Sequence, residues 1–343
     1  MSTPPMAGTP IRRRGSGREP VSVLPDWSAG PLPALVRANV PGMDLPTWLR
    51  GERSTVADLA RTAGAVLLRG FDVSEAGDFR EVMAELSDDV LAYGERSSPR
   101  SKVTDGIYTS TDHPADQAIV LHNEQSYTLN WPLLIVFFCE VEPAASGRTP
   151  LADSRKVLAR LRPETVSGFE RLGVRYVRNY LTGISLPWQE AFQTEDRSRV
   201  EEYCAGADIE VEWVSGEHLR TRQVRPAVHR HPVTGERTWF NHASFFHVTS
   251  LPEEVSCGLR DALPEENLPY NTYYGDGSPI GEDVLVELRA CYAAETVAFD
   301  WKRGDVLVVE NMLAAHAREP FTPPRRILTG MADPFANFKA GAA

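Results

Sequence analysis

Three residues in two distant parts of the chain have the types and spacing of a metal site. His122 and Glu124 are two positions apart at the end of an apolar stretch, and His316 lies near the C-terminus. Alternate residues of a strand point to the same side, so His122 and Glu124 can face one ion while Asn123 points away. Two imidazoles and one carboxylate leave coordination positions open, which is typical of iron(II) centres that also bind an oxidant. We therefore predict an iron site formed by His122, Glu124 and His316.

Two arginines follow the distal histidine at the start of a predicted strand, Arg325 and Arg326. A guanidinium binds a carboxylate through two parallel hydrogen bonds, which a lysine cannot match. A dicarboxylate such as 2-oxoglutarate, bound to the metal through its keto-acid end, needs such an anchor for its far carboxylate. Neighbouring strand residues face opposite sides, so only one of the two arginines can point inward. Thr149, at the end of a turn, offers a hydroxyl that could support the same carboxylate.

A His-x-Glu pair alone arises often by chance, and the chain contains competing histidines. His229 and His231 have the same spacing, but a turn over residues 232–235 follows them and no carboxylate stands in a clear strand nearby. We interpret that pair as a surface feature. Asn311, shortly before His316, is a candidate for holding a metal ligand through a hydrogen bond.

Composition excludes several classes of protein. The chain has 343 residues, 42% apolar and 24% charged, which is close to the globular average and does not fit wholesale disorder. A net charge of −11 argues against a general nucleic-acid binder. No apolar run of about 18 residues predicts a membrane span. Four cysteines without metal spacing indicate reduced thiols in a cytoplasmic protein.

The order of elements predicts one β-rich core with a long insertion. We expect residues 1–20 to be a disordered tail and residues 21–343 a single domain, with a mixed α/β insertion at about 155–295. Residues 46–63 and 74–86 are predicted helices, and 133–141 is a predicted strand that is buried on both faces. Two polar segments, 93–116 and 181–194, are candidate lids.

The combined motifs resemble those of the iron(II)- and 2-oxoglutarate-dependent oxygenases of the taurine dioxygenase (TauD/TfdA) superfamily. More narrowly, they are similar to the branch that contains SyrP-like hydroxylases of antibiotic biosynthesis. The resemblance covers residues 60–335. Its stretches are Tyr108-Thr109-Ser110-Thr111, Pro114-Ala115-Asp116, His122-Asn123-Glu124, Ser126-Tyr127, Trp131-Pro132, Thr149 to Arg155, Trp239-Phe240-Asn241, Gly275-Asp276-Gly277, Gly304-Asp305-Val306-Leu307, and Asn311 through His316 to Arg325-Arg326-Ile327-Leu328.

This resemblance implies a mainly β fold with α insertions around a double-stranded β-helix (jelly-roll) core. It implies that His122, Glu124 and His316 bind iron, that Arg326 anchors 2-oxoglutarate, and that Thr149 is a secondary contact. The implied cofactors are Fe(II), 2-oxoglutarate and dioxygen. Two departures leave the loop geometry open: Arg148 stands beside the threonine where the family usually has an acid, and Ala317 follows the distal histidine in place of a common glycine.

The carboxylate of Glu124 favours hydroxylation, because halogenases of this superfamily replace it with a small residue. The resemblance implies an amino-acid-like substrate, free or attached to a carrier protein, and Tyr108, Arg96, Arg100 and Asn241 are candidates to bind it. Desaturation or another oxidative rearrangement, a non-catalytic metal-binding or regulatory jelly roll, and a cupin-like zinc hydrolase are the alternatives. The oligomeric state stays open, with a homodimer as one option.

Overall fold

The long strand β7 (Asn130–Val141) lies inside the larger sheet of this protein. We describe a computed structural model, in which residues 19–91, 102–110 and 113–336 are placed. The sheet has eight strands in the order β1-β2-β3-β16-β7-β19-β5-β4. The other seven strands are β1 (Val21–Leu24), β2 (Ala34–Ala38), β3 (Ala65–Arg69), β4 (Lys102–Thr104), β5 (Ile107–Thr109), β16 (Val306–Glu310) and β19 (Arg326–Ala336).

Both faces of β7 are buried, as predicted from its apolar run. On one face Val136 and Phe138 pack in a core that includes helices α1 (Leu45–Ala63) and α2 (Ala76–Leu86). On the other face a second core contains β7 residues together with Leu151 and Ala314 of a smaller sheet. That sheet has the order β6-β17-β9, with β6 (Ile119–His122), β9 (Leu151–Asp153) and β17 (Ala314–Arg318). The metal-site segments therefore sit on a small sheet that is backed by the large one.

Both predicted helices of the first third are confirmed, and their first residues differ from the prediction by one or two positions. Helix α1 begins after Asp44, whose carboxylate accepts the N–H of Thr47 at 2.8 Å. Helix α2 begins after Glu75 rather than Ser74, because Asp78 turns back and accepts hydrogen bonds from the backbone of both residues. This capping box satisfies N–H groups that the first turn leaves open.

Residues 154–295 contain both helices and strands. A four-stranded sheet has the order β11-β12-β10-β15, and β13 and β14 form a separate two-stranded sheet. Strands β8 and β18, which flank this segment on either side, form another two-stranded sheet. The elements are β8 (Ala145–Ser146), α3 (Ser154–Arg160), α4 (Pro163–Leu172), β10 (Val174–Tyr180), α5 (Trp188–Phe192), α6 (Arg197–Gly206), β11 (Glu210–Trp213), β12 (Leu219–Arg225), β13 (Val228–Arg230), β14 (Arg237–Trp239), α7 (Glu253–Ala262), β15 (Tyr270–Tyr274), α8 (Glu282–Glu295) and β18 (Phe321–Thr322).

Two apolar segments form little strand. Residues 296–301 contain only an isolated bridge between Val297 and Leu151, and β14 ends at Trp239. No helix within the described ranges is long and apolar enough to cross a membrane. The tail predicted at 1–20 lies outside these ranges up to residue 18.

The interpretation of the His229 and His231 pair as a surface feature is wrong for His231, and His229 is half-buried. His231 is 2% exposed and donates from Nε2 to Glu310 at 3.0 Å, while its Nδ1 accepts backbone N–H groups from Val233 and Thr234. The sequence pattern did not predict this carboxylate near the pair, because Glu310 belongs to the distant strand β16. Burial raises the pKa of Glu310.

The Glu310 carboxylate should matter for stability because it is the acceptor for a buried N–H. Glu310→Ala leaves the His231 donor unsatisfied and should lower the free energy of unfolding by about 2 to 3 kcal/mol. Glu310→Gln keeps an acceptor oxygen and should cost less than about 1 kcal/mol. Urea unfolding followed by circular dichroism measures both variants. Equal stability of the two variants would contradict this role for the pair.

A second prediction concerns His229, whose ring lies 5.1 Å from that of Trp131 and 5.5 Å from that of Phe240. Burial lowers the pKa of His229 to about 4. The His229 imidazole therefore binds a proton near pH 6.5 in the unfolded chain and only near pH 4 in the folded chain. Its contribution to stability is complete above pH 6.5 and is lost as the pH falls toward 4. In His229→Phe this fall should shrink by about 2 to 3 kcal/mol, measured by urea unfolding at both pH values. An unchanged pH profile would refute the assignment.

Candidate metal centre and active site

The three predicted ligands meet at one point. The ligand atoms of His122, Glu124 and His316 all lie within 4.8 Å of one another. His122 ends β6 and is paired with His316 of β17 across the antiparallel bridge, with ring centroids 4.4 Å apart. Glu124 lies past the end of the strand, in a turn in which Gln125 has a φ of 54°. The turn, rather than strand alternation, brings the carboxylate to the two imidazoles.

Asn311 fixes the position of the Glu124 backbone. Its Oδ1 accepts the N–H of Glu124 at 2.8 Å, and its Nδ2 donates to the carbonyls of Glu124 and Pro132 at 2.9 and 2.8 Å. Asn123 donates in return to the Asn311 carbonyl at 2.7 Å. The predicted hydrogen bond from Asn311 therefore exists, and it reaches the backbone of the ligand rather than its side chain.

The donor set suits a divalent iron ion. The His122 Nδ1 lies 2.9 Å from the Val120 carbonyl, so Nδ1 carries the proton and Nε2 keeps a lone pair for a metal. Glu124 and His316 are 2% and 5% exposed, and a buried carboxylate beside two imidazoles is costly unless a cation shares the site. Two nitrogens and one carboxylate leave positions open for other ligands. These residues fit Fe(II).

A cavity of about 1040 Å³ opens beside the two histidines. Its wall combines the small sheet with parts of the inserted segment. Its lining residues include Ser110, His113, Asp116, His122, Thr149, Arg178, Ile184, Leu186, Phe245, Phe246, His316, Ala317, Arg318 and Arg325. This volume holds a small organic co-substrate and a second small molecule together.

Arg325, and not Arg326, lines this cavity, so the prediction of Arg326 as the inward arginine is wrong. Burial lowers the pKa of Arg325 to about 10, and its Nε donates to the Gly147 carbonyl at 3.0 Å. Arg326 is half-exposed and pairs with Glu140 at 2.7 Å outside the cavity. The two arginines do face opposite sides, but β19 begins at Arg326 with a register shift before Ile327, which sequence alternation cannot locate. Among the described carboxylates, none forms an ion pair with Arg325.

The turn over residues 145–149 packs against this arginine. Gly147 has a φ of +70°, and a Cβ there would lie 2.7 Å from the Cβ of Phe321 and 3.1 Å from the Cδ of Arg325. Only glycine fits that approach. Arg148, which departs from the family pattern, points outward and forms a two-pronged ion pair with Glu319 at 2.7 and 2.8 Å. Its charge therefore does not enter the cavity.

Thr149 lies in the cavity wall and is 3% exposed. Its hydroxyl accepts a hydrogen bond from the indole N–H of Trp301 at 3.1 Å. Ala317, the second departure from the family pattern, also lines the cavity without interrupting β17.

Two of the four predicted substrate contacts, Tyr108 and Asn241, lie away from the cavity. Tyr108 lies in the core between the sheets, because its strand turns that side chain inward. The Asn241 amide is used by backbone, donating to the Ala227 carbonyl and accepting the Ala243 N–H, each at 2.8 Å. Neither residue lines the cavity. Arg96 and Arg100 lie outside the described residues.

Both candidate lids contribute to the cavity wall where they are described. Ser110, His113 and Asp116 come from the first segment, and Ile184 and Leu186 from the second. Residues 92–101, 111 and 112 of the first segment lie outside the described ranges.

Sequence reasoning missed two further arginines in the cavity wall. Arg318 donates through its two Nη groups to the carbonyls of His113, Pro114 and Gln117, and so holds that loop in place. Arg178 of β10 is buried, with its guanidinium 4.9 to 5.4 Å from three aromatic ring centroids, those of Tyr180, Tyr127 and Phe246. The position of Arg318 two residues after His316 was a usable signal. Nothing in the local pattern marked Arg178.

The ring of His122 also has an aromatic neighbour on the cavity side. Phe245 lies 4.7 Å from it between ring centroids, and the buried His242 lies 5.9 Å away. Burial holds the pKa of His242 well below its usual value, so this imidazole is neutral and adds no charge to the centre. Its Nδ1 is hydrogen-bonded to the Ser126 hydroxyl at 2.6 Å.

Comparison with known proteins agrees with this geometry. Residues 28–332 match the family model described as "Taurine catabolism dioxygenase TauD, TfdA family". The dapdiamide synthesis protein DdaC of Enterobacter agglomerans is 36% identical over 313 residues, which cover 91% of this chain and 94% of DdaC. A clavaminate synthase-like protein of Arabidopsis thaliana is 29% identical over 330 residues, covering 91% of this chain and 97% of that protein.

Solved structures share the fold at low sequence identity. PvcB of Pseudomonas aeruginosa superposes with a TM-score of 0.56 at 18% identity, over 96% of this chain and 98% of its own. Another PvcB structure, described as an Fe, alpha-ketoglutarate dependent oxygenase from an isonitrile synthetic pathway, gives a TM-score of 0.54. AAD-2, solved with Mn(II) and N-oxalylglycine, gives a TM-score of 0.50 at 13% identity, over 91% of this chain and 96% of its own.

The family model spans most of the chain, DdaC matches nearly all of it, and the His-x-Glu…His triad is assembled. This chain therefore belongs to the taurine catabolism dioxygenase TauD, TfdA family and is an iron(II)- and 2-oxoglutarate-dependent dioxygenase.

Proposed function

We propose that this dioxygenase hydroxylates an unactivated C–H bond of a small amino-acid-derived substrate, free or attached to a carrier protein, in secondary-metabolite biosynthesis. The names of two similar proteins support this direction, since DdaC is a dapdiamide synthesis protein and PvcB belongs to an isonitrile synthetic pathway. We also infer that the core of two facing sheets is a double-stranded β-helix, which would place the metal site inside a rigid scaffold.

In this proposal His122, Glu124 and His316 hold Fe(II). Bound iron, with 2-oxoglutarate and dioxygen, supplies the oxidising power needed to break a C–H bond. The chain's own task is to orient the ligands before the metal arrives, which Asn311 and the β6–β17 pairing accomplish. Glu124 supports hydroxylation over halogenation, because its carboxylate fills the position that a halide would need.

The partly buried guanidinium of Arg325, which lines the cavity, is the observation that carries the proposal. Burying a cation without an anionic partner is costly, so the site makes sense when a carboxylate enters the cavity. Arg325 would bind the far carboxylate of 2-oxoglutarate, with the Thr149 hydroxyl beside it. A metal-binding protein without catalysis has no use for such a group. This distinguishes the oxygenase from a non-catalytic jelly roll with the same three ligands.

The rest of the cavity would orient the substrate and keep bulk water away. Phe245 and Phe246 form an apolar wall next to His122, and Arg318 fixes the loop that borders the cavity. Arg178 would place a cation on the substrate side. Desaturation or another oxidative rearrangement on the same site is the alternative outcome, and it depends on the substrate rather than on the metal ligands.

The catalytic proposal is tested by a succinate-release screen. Purified protein with Fe(II), ascorbate and 2-oxoglutarate should form succinate above its uncoupled background when the right amino acid or carrier-bound aminoacyl group is present. Mass spectrometry should then show a product heavier by one oxygen atom. His316→Ala removes one iron ligand and should reduce turnover by at least about 100-fold. A product lighter by two hydrogens would favour desaturation, and full activity of His316→Ala would reject the metal site.

The two adjacent arginines provide a matched pair of variants. Arg325→Gln removes the cavity guanidinium and should raise the KM for 2-oxoglutarate by roughly 100-fold, because truncating one side of a charge pair that the ligand desolvates costs several kcal/mol. Arg326→Gln removes a surface ion pair and should change that KM less than about threefold. Initial rates at varied 2-oxoglutarate measure both. If Arg326→Gln proves to be the damaging variant, the anchor has been assigned to the wrong residue.

A further inference from the structure

Trp301 lies behind the cavity wall, outside every motif of the metal site. It is 2% exposed and belongs to the apolar core between the two sheets, with the ring of Phe299 4.9 Å away. The indole N–H is the only polar group of this side chain, and it donates to the Thr149 hydroxyl at 3.1 Å. A buried indole usually finds such an acceptor, so the contact satisfies Trp301. The same hydrogen bond also constrains the orientation of the Thr149 hydroxyl.

A threonine hydroxyl has one proton to donate and two lone pairs that accept. An indole N–H can only donate, so Thr149 is the acceptor in this contact and its own proton must point elsewhere. Among the described residues no group accepts a hydrogen bond from that hydroxyl. Thr149 lines the cavity, and its proton is therefore available to an acceptor inside it.

The same turn connects this hydroxyl to Arg325. The Arg325 Nε donates to the carbonyl of Gly147, two residues before Thr149, and both Arg325 and Thr149 line the cavity. Thr149 also precedes Leu151, which is paired with His316. The hydroxyl thus stands on the segment that links the arginine to the metal ligand.

We infer that Trp301 is a positioning residue that fixes the Thr149 hydroxyl as a hydrogen-bond donor to the 2-oxoglutarate carboxylate bound by Arg325. This inference rests on the proposed function of Arg325, and in it Trp301 acts on the carboxylate through Thr149. Without the indole N–H, the hydroxyl can rotate and present a lone pair to the carboxylate, which is repulsive. Trp301 thereby selects a carboxylate over a neutral group at this end of the cavity.

The test measures binding rather than turnover. Isothermal titration of the full chain loaded with Mn(II) gives the Kd of 2-oxoglutarate and of 2-oxopentanoate, which lacks the far carboxylate. Trp301→Phe keeps an aromatic ring and removes the N–H. It should raise the Kd of 2-oxoglutarate by about 3- to 10-fold, the worth of one hydrogen bond. The Kd of 2-oxopentanoate should change less than about twofold, since it has no carboxylate at that end.

Two further variants separate orientation from packing. Thr149→Val removes the hydroxyl itself, so adding Trp301→Phe to it should have little further effect on the Kd of 2-oxoglutarate. Phe299→Leu disturbs the same core next to Trp301 without touching the hydrogen bond. It should leave the ratio of the two Kd values as in the wild type, and thermal melting checks that each variant is folded.

Each outcome has one meaning. If Trp301→Phe weakens both oxo acids equally, or if its effect adds fully to that of Thr149→Val, the indole acts through packing and the inference is wrong. If Trp301→Phe binds 2-oxoglutarate as tightly as the wild type, the inference is also wrong while the proposed function stands. If the wild type fails to prefer 2-oxoglutarate over 2-oxopentanoate, the assignment of Arg325 itself is overturned.

Discussion

The buried amide of Asn311 is the contact on which the metal centre depends. It joins the turn after β16 to the turn after β6, two segments that are remote in the sequence, through three hydrogen bonds to the Glu124 and Pro132 backbones. Glu124 has no strand of its own to hold it, so without this amide its carboxylate would be carried by an unsupported turn. A ligand that is placed before the metal arrives loses less conformational entropy on binding, which favours a site built from only three residues.

The metal-binding histidines could be predicted from the sequence, but the residues that surround them could not. Residue type and spacing leave few candidate metal ligands, because few sets of donor atoms suit an iron site with open coordination positions. The strand pairing of His122 with His316 then follows from an antiparallel contact in the small sheet. Helix α1 and strand β7 were also predictable, since a long apolar pattern is compatible with few other secondary structures.

The failures arise because the direction and the partners of a side chain are set by the tertiary fold and not by the local sequence. Arg326 is the first paired residue of β19, and Arg325 comes immediately before it. The register shift after Arg326 is set by tertiary contacts, which the local sequence does not show. Asn241 looked like a free amide, but its own backbone neighbourhood uses it. Arg178 belongs to the inserted sheet and reaches the cavity only because that sheet folds over the core. Alternation can state that one of two residues is inward, and it cannot state which.

The cavity also reverses the electrostatics of the chain. A protein of net charge −11 would repel anionic small molecules at long range, yet the wall beside the metal residues carries Arg178, Arg318 and Arg325 against the exposed Asp116. Burial, reinforced by Arg318, lowers the pKa of Arg325 to about 10, which still leaves it charged at neutral pH. That partly desolvated charge costs stability until an anion enters. A carboxylate ligand therefore gains affinity from a desolvation penalty that folding has already met, and neutral molecules of the same shape do not.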